Sequence, residues 1–317
     1  MVDFQFLYKG LCGLARAHQA SGLAGHLGAA VVAGYFFGEE HADLDSRVYA
    51  GVEKQLDDII RGKESIWYDQ KKKGITVPAL FEPFPKEKPD EKRIPTIAQA
   101  LAGNINKTRQ SGHNVIFASI AIRALHDHPE YATPSIIDGI RKLIAGFNGV
   151  VPGRGYWGKE KGWIIGDKVQ LTADTEFPAY DSFEQMANAV ADDLILRGSQ
   201  HRRGFGGTVH VTNHAAAITE LSEYGFQDLA LRALPAHHHH VRLWRSLPDL
   251  SEELGALKKA KFDPRTPDYW TDNSPSQASA SLSHRIKTLY GFFTLLPFVK
   301  DDAKRKKAEE QFLYMMA

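Results

Sequence analysis

Cysteine is almost missing from this chain of 317 residues, where Cys12 stands alone. A disulfide within the chain and a cluster of thiolate ligands are therefore excluded, and a reducing, cytoplasmic setting is the simplest fit. Neither sign of charge dominates, since 39 basic residues face 38 acidic ones. No net field favours nucleic acid or an anionic membrane surface, so neither is expected as a partner. Long apolar runs are lacking as well: Leu289 to Val299 is too short to cross a bilayer and contains Pro297. The first residues carry Asp3 and Lys9 among apolar ones and lack the basic-then-apolar layout of a secretion signal. There is no Walker sequence and no Gly-x-Ser-x-Gly elbow, and Gly153-Arg154-Gly155 is not followed by the spaced glycine of a dinucleotide fold.

What the chain does have is histidine, 14 in all, and four of them recur in one setting. Gly25-His26, Ser111-Gly112-His113-Asn114, Asn213-His214 and Ser283-His284 each place small or capping residues before a histidine that opens a strongly apolar segment. Such segments read as buried helices with a marked first turn. The four lie 87, 101 and 70 residues apart, too irregular for a short solenoid repeat.

Between them, helices that are apolar all round alternate with one-sided ones. Phe4 to Ala20, His26 to Phe37, Leu44 to Arg61, Pro95 to Arg109 and the segment from His113 to Leu125 are expected helices. Thr133-Pro134 starts a further helix to Phe147, Ser182-Phe183-Glu184-Gln185 is a capping box for one ending near Arg197, and Asp301 to Met316 closes the chain. Val209-His210-Val211-Thr212 looks extended and reads as a link into the helix opened by His214. The helix from Phe226 is expected to stop at Pro235, leaving His237 to His240 as a polar turn with adventitious metal affinity. Residues 62 to 94 and 148 to 180 read as irregular, the second with a small hairpin around Trp163-Ile164-Ile165. At least ten helices and almost no strands make the chain all-α. The alternation predicts an α/α toroid of inner and outer helices spanning 1–317 as a single domain.

If the inner helices run parallel, the four imidazoles gather at one rim. Helix N-termini disfavour protonated imidazole, so the rings are expected to be neutral and able to accept a proton or bind a transition metal. The ligand pool is His26, His113, His214 and His284, with His210 added because it precedes His214 by four residues, a spacing that puts two ligands on one helical face. His113 and His214 are the candidate catalytic residues, with Arg109 beside them. Arg16, Arg197 and Arg203 are candidates to grip a carboxylate or phosphate, although basic residues also favour helix C-termini. The aromatic residues Trp67, Tyr68, Tyr156, Trp157, Trp163, Tyr269 and Trp270 lie in the long links, where Trp157 is taken as a stacking surface for substrate; sealing the core ends is the simpler role for the group. Cys12 lies in an apolar helix and reads as packing.

Through the helices opened by His26, His113, His214 and His284, most of the chain resembles the α/α-toroid proteins. These include terpenoid cyclases, sugar epimerases, polysaccharide lyases and zinc-dependent cyclases, so the resemblance implies an enzyme with a central cavity. The Asp-rich motifs of terpenoid synthases and cyclases are missing, as are the cysteine ligands of lanthionine cyclases. The leading expectation is a metal-dependent oxidoreductase or hydrolase holding iron, zinc or copper on nitrogen ligands and acting on a small, anionic organic substrate. The alternatives are a metal-independent epimerase or lyase of acidic sugars, with two histidines as acid and base, and a non-catalytic helical-repeat binding module.

Overall fold

Apolar residues at three- and four-residue spacing make helices of most of this sequence. The computed structural model describes residues 1–64, 68–172, 177–272 and 281–317; Trp67 lies outside the described residues. Among the described residues, eleven helices have eight residues or more: α1 (Gln5–Ala20), α2 (Gly25–Glu40), α3 (Ser46–Ile60), α4 (Pro95–Ala102), α5 (His113–Asp127), α6 (Pro134–Ala145), α7 (Phe183–Arg197), α8 (Gly207–Glu223), α9 (Gln227–Arg245), α10 (Ser281–Leu295) and α11 (Asp302–Phe312). The described strands are β1 (Arg154–Tyr156) and β2 (Trp163–Ile165), an antiparallel hairpin pairing Gly155 with Ile164. The fold is all-α, and no described helix is long and apolar enough to cross a membrane. The helix expected over Pro95 to Arg109 stops at Ala102, because Gly103 and the Asn-containing stretch behind it favour turns over helix.

The chain divides into two compact units. The first comprises Met1–Gly103, Phe117–Phe147 and Phe262–Tyr290. Its core is α2, in which every residue from Gly25 to Gly38 is buried. Ser21 ends α1, and its hydroxyl accepts the Ala24 amide to start the turn into α2. The two backbones then touch at glycine: a Cβ on Gly28 would lie 2.3 Å from the Leu14 nitrogen and 2.7 Å from the Gly10 oxygen. Only glycine permits that approach. Helix α3, capped by Asp45, buries Val48, Val52, Leu56 and Ile59 and leaves its other face to solvent. Cys12 is buried within α1, as a packing residue should be.

The second unit comprises Asn104–Ile116, Asn148–Lys261 and Gly291–Ala317. Helices α8 and α9 form an antiparallel pair joined by the short turn Tyr224–Phe226, and α7 packs against both α8 and α11. Ser182 caps α7 by accepting the Gln185 amide, as the capping box predicts. The hairpin is tied to the link before α8 by a bridge between Gly155 and Gly204.

Two local expectations are corrected here. Helix α9 does not stop at Pro235 but carries it inside, so His237 to His240 are helical and not a turn. Pro235 removes one hydrogen bond, to the carbonyl four residues back, and both it and Leu231 lie on the exposed side of α9, where water can replace that bond. The run Val209-His210-Val211-Thr212 is likewise helical, part of α8. Burial of His210, Val211 and Thr212 outweighs the small helical penalty of their branched side chains.

Candidate metal centre

The five histidines expected as ligands divide between the units, His113, His210 and His214 in the second and His26 and His284 in the first. Not all of them open helices. His113 is the first residue of α5 and His26 the second of α2, whereas His284 follows three residues of α10 and His214 sits a full two turns into α8.

In the second unit, the turn before α5 is held in an unfavourable conformation. Gln110, Ser111 and Gly112 all have positive φ, at 42°, 59° and 85°, a region that costs a residue with a Cβ about 1–2 kcal/mol. The Gln110 and Ser111 amides donate to the carbonyls of Val151 and Pro152, each at 2.8 Å, and so over-determine the turn. Its product is the position of one carbonyl: Gln110 accepts a hydrogen bond from Nδ1 of His113. A carbonyl only accepts, so Nδ1 carries a proton and donates it, which fixes the orientation of the ring. Gly112 is required for a second reason, since a Cβ there would lie 2.5 Å from Cγ of His214. The His113 ring also packs 4.6 Å from that of His210, centroid to centroid.

A second chain of hydrogen bonds fixes His214. Nε2 of His240 lies 2.8 Å from the carbonyl oxygen of Phe205 and must donate to it. Burial pushes His240 down to about 4, so its ring is neutral and Nδ1 is an acceptor. Nδ1 of His214, 3.2 Å away, therefore donates to Nδ1 of His240. His214 is itself held far below the ordinary histidine range by burial first and by the neighbouring His237, His240 and His113 second. Its Nε2 is thus a bare lone pair, buried and with no hydrogen-bond partner among the described residues. Burial, and not a helix N-terminus, keeps this ring neutral. Phe205, which supplies the terminal carbonyl, is also a non-glycine residue at positive φ, 48°. The Gln110 and Phe205 carbonyls, which orient His113 and His240, thus both come from non-glycine residues at positive φ.

The sequence places His237 in a polar turn with adventitious metal affinity and does not single out Tyr180; the two are buried together. His237 donates from Nε2 to the Val211 carbonyl at 3.0 Å, and its Nδ1 accepts the hydroxyl of Tyr180. Burial drives His237 down to about 3 and Tyr180 well up, so the phenol keeps the proton it donates. His238 and His239 face outward by comparison, stacking on Phe177 and bonding Thr108. The periodicity that could have revealed this continues straight through Pro235: Ala230, Ala233, Leu234, His237, Val241 and Trp244 share one buried face.

No known protein family, curated protein or solved structure matches the chain. The chemistry has to be read from the residues. Arg109 stands at the head of the strained turn, with Nη1 on the Val150 carbonyl at 2.7 Å and a buried Nε that has no hydrogen-bond partner among the described residues. Arg197 is occupied by Asp193 at 2.8 Å, a buried carboxylate that also takes Arg245 at 2.9 Å. Arg203 is exposed and lies 5.4 Å from the centroid of Trp163 on the hairpin, while Trp157 meets Phe205 edge to face at 6.0 Å. In the first unit, Arg16 donates to the carbonyls of Leu80, Glu82 and Pro83 and stacks on Phe84 at 3.7 Å. There, too, Nε2 of His26 and Nε2 of His284 lie 3.0 Å apart, one donating to the other.

Proposed function

We propose that the protein is a metal-dependent enzyme, an oxidoreductase or hydrolase, whose metal is held in the second unit by Nε2 of His214 and Nε2 of His113, with His210 on the same face of α8. The observation that carries this reading is the buried Nε2 lone pair of His214, unpartnered while Nδ1 is tied through His240 to the Phe205 carbonyl. Imidazoles that ligate metals have this layout, the second nitrogen donating to a carbonyl or another acceptor that fixes tautomer and orientation. His113 repeats it with Gln110. An all-nitrogen set suits iron, zinc or copper, and such an ion supplies a Lewis acid or redox centre. Arg109, whose buried Nε has no hydrogen-bond partner among the described residues, supports an anionic group on the substrate. The proposal retains the α/α-toroid arrangement, with apolar inner helices carrying the histidines.

Elemental analysis of the untagged protein tests it, alongside His113→Ala and His214→Ala. The expected result is close to one equivalent of iron, zinc or copper, falling in both variants while their circular dichroism stays helical. Wild-type protein that holds none of the three ions, even after each is supplied and excess removed, would overturn it.

A further inference from the structure

The metal reading uses only the second unit, yet the first unit contains its own buried cluster of titratable groups. Helix α10 contributes His284 and Lys287, α2 contributes His26, and the chain after α3 contributes Glu64. Gln55 anchors the start of α10 by donating to the Leu282 carbonyl at 2.8 Å. Glu64 caps the same turn: its carboxylate oxygens accept the Ser283 amide at 3.2 and 3.3 Å. Lys287 follows Ser283 by four residues, and helical side chains lean toward the N-terminus, so its ammonium group is carried back over the turn that Glu64 and His284 occupy.

Lys287 is the unusual member. It is 3 % exposed, and its Nζ, 5.8 Å from the centroid of Phe117, has no hydrogen-bond partner among the described residues. A lysine that only packs its stem sends the amine to water or to an acceptor. Here burial pushes the amine down to about 7, with Glu64 pulling the other way, while burial pushes the Glu64 carboxyl up. Desolvated lysines of this kind are nucleophiles toward carbonyl carbon.

We propose that Lys287 is a covalent site that forms an imine with a small, uncharged aldehyde or ketone. The neutral Nζ attacks the carbonyl carbon, and the C=O electron pair moves to oxygen. A proton passes from nitrogen to that oxygen to give the carbinolamine. The hydroxyl then leaves as water, with Glu64 as the acid at hand to protonate it, and the nitrogen lone pair closes the C=N bond; the proton lost from nitrogen restores Glu64. The sum is amine plus carbonyl giving imine plus water, with no redox change. An uncharged carbonyl compound suits the cluster because its one carboxylate already accepts the Ser283 amide, and the wall beside the amine is the Phe117 ring.

The test is reductive trapping of the whole protein at pH 7 with limiting propionaldehyde and cyanoborohydride, followed by peptide mapping. Hydride reduces any imine to a stable N-propyl amine. At that pH the Lys287 amine is neutral in about half of the molecules, against roughly one in 2,500 for an ordinary lysine, and the Met1 amine is an internal reference. The expected map shows propyl on Lys287 before any exposed lysine, and loss of that adduct in Lys287→Met. Propylation of Met1 and exposed lysines with Lys287 unmodified would overturn the proposal. Should Lys287→Met fail to fold, the wild-type map decides alone, and neither result depends on metal content.

Discussion

Replacing Lys287 with methionine should change how stability depends on pH, and the size of the change follows from burial. In the unfolded chain the amine titrates at about 10.4; in the folded protein it titrates at about 7. Well above the first of these both states are neutral, and titration of the amine contributes nothing. As pH falls, the unfolded state takes up the proton first, so unfolding is favoured, and the penalty levels off below about 7. Between pH 9 and pH 7 the linkage relation gives a loss of roughly 2 kcal/mol, because each tenfold change in proton concentration is worth about 1.36 kcal/mol and the folded amine is half protonated at the lower pH. Methionine fills similar space and does not titrate. The difference in unfolding free energy between wild type and Lys287→Met, taken from urea transitions at pH 7 and pH 9, should therefore move by about 2 kcal/mol in favour of wild type at the higher pH. Parallel pH profiles for the two proteins would refute the argument, because they would mean that the folded amine titrates as it does in water.

His240→Phe should preserve most of the packing around α9 and release Nδ1 of His214 from its acceptor. Zn²⁺ affinity, read by competition with a chromophoric chelator, is expected to fall about 10- to 100-fold, with a smaller loss in His240→Gln, whose amide keeps both a donor and an acceptor; equal affinity in all three proteins would remove His240 from the site. Pro235→Ala should restore the hydrogen bond to the Leu231 carbonyl on the exposed face of α9 and raise the unfolding free energy, by up to about 3 kcal/mol. A loss of stability in that variant would mean that the helix is not continuous through residue 235.

The helices were readable because the signals that make them are local. Ser21, Thr133-Pro134 and Ser182-Phe183-Glu184-Gln185 mark ends within a few residues, and the apolar spacing of α2 and α5 needs no partner to be recognised. Where a local signal misled, tertiary burial had overruled it. Pro235 says stop, yet the face from Ala230 through His237 to Trp244 is buried over four turns, and that burial outweighs one lost hydrogen bond. Valine and threonine around His210 say strand, yet the same logic keeps them in α8. Of the site, His113 and His214 were legible as recurring residues, but the reason given for them, a shared helix start, holds for His113 alone. What makes His214 a distinctive group is a relay that no sequence spacing encodes: His240, 26 residues on, and Phe205 at positive φ together decide which nitrogen bears the proton. Such an arrangement is specified by the backbone that the helices and glycine turns produce, so it becomes visible only when acceptor and donor are placed. The same holds for Lys287, whose neighbour Glu64 lies 223 residues away in the chain and reaches the same turn of α10. A chain whose helices can be read locally can still keep its chemistry in contacts that are entirely long-range.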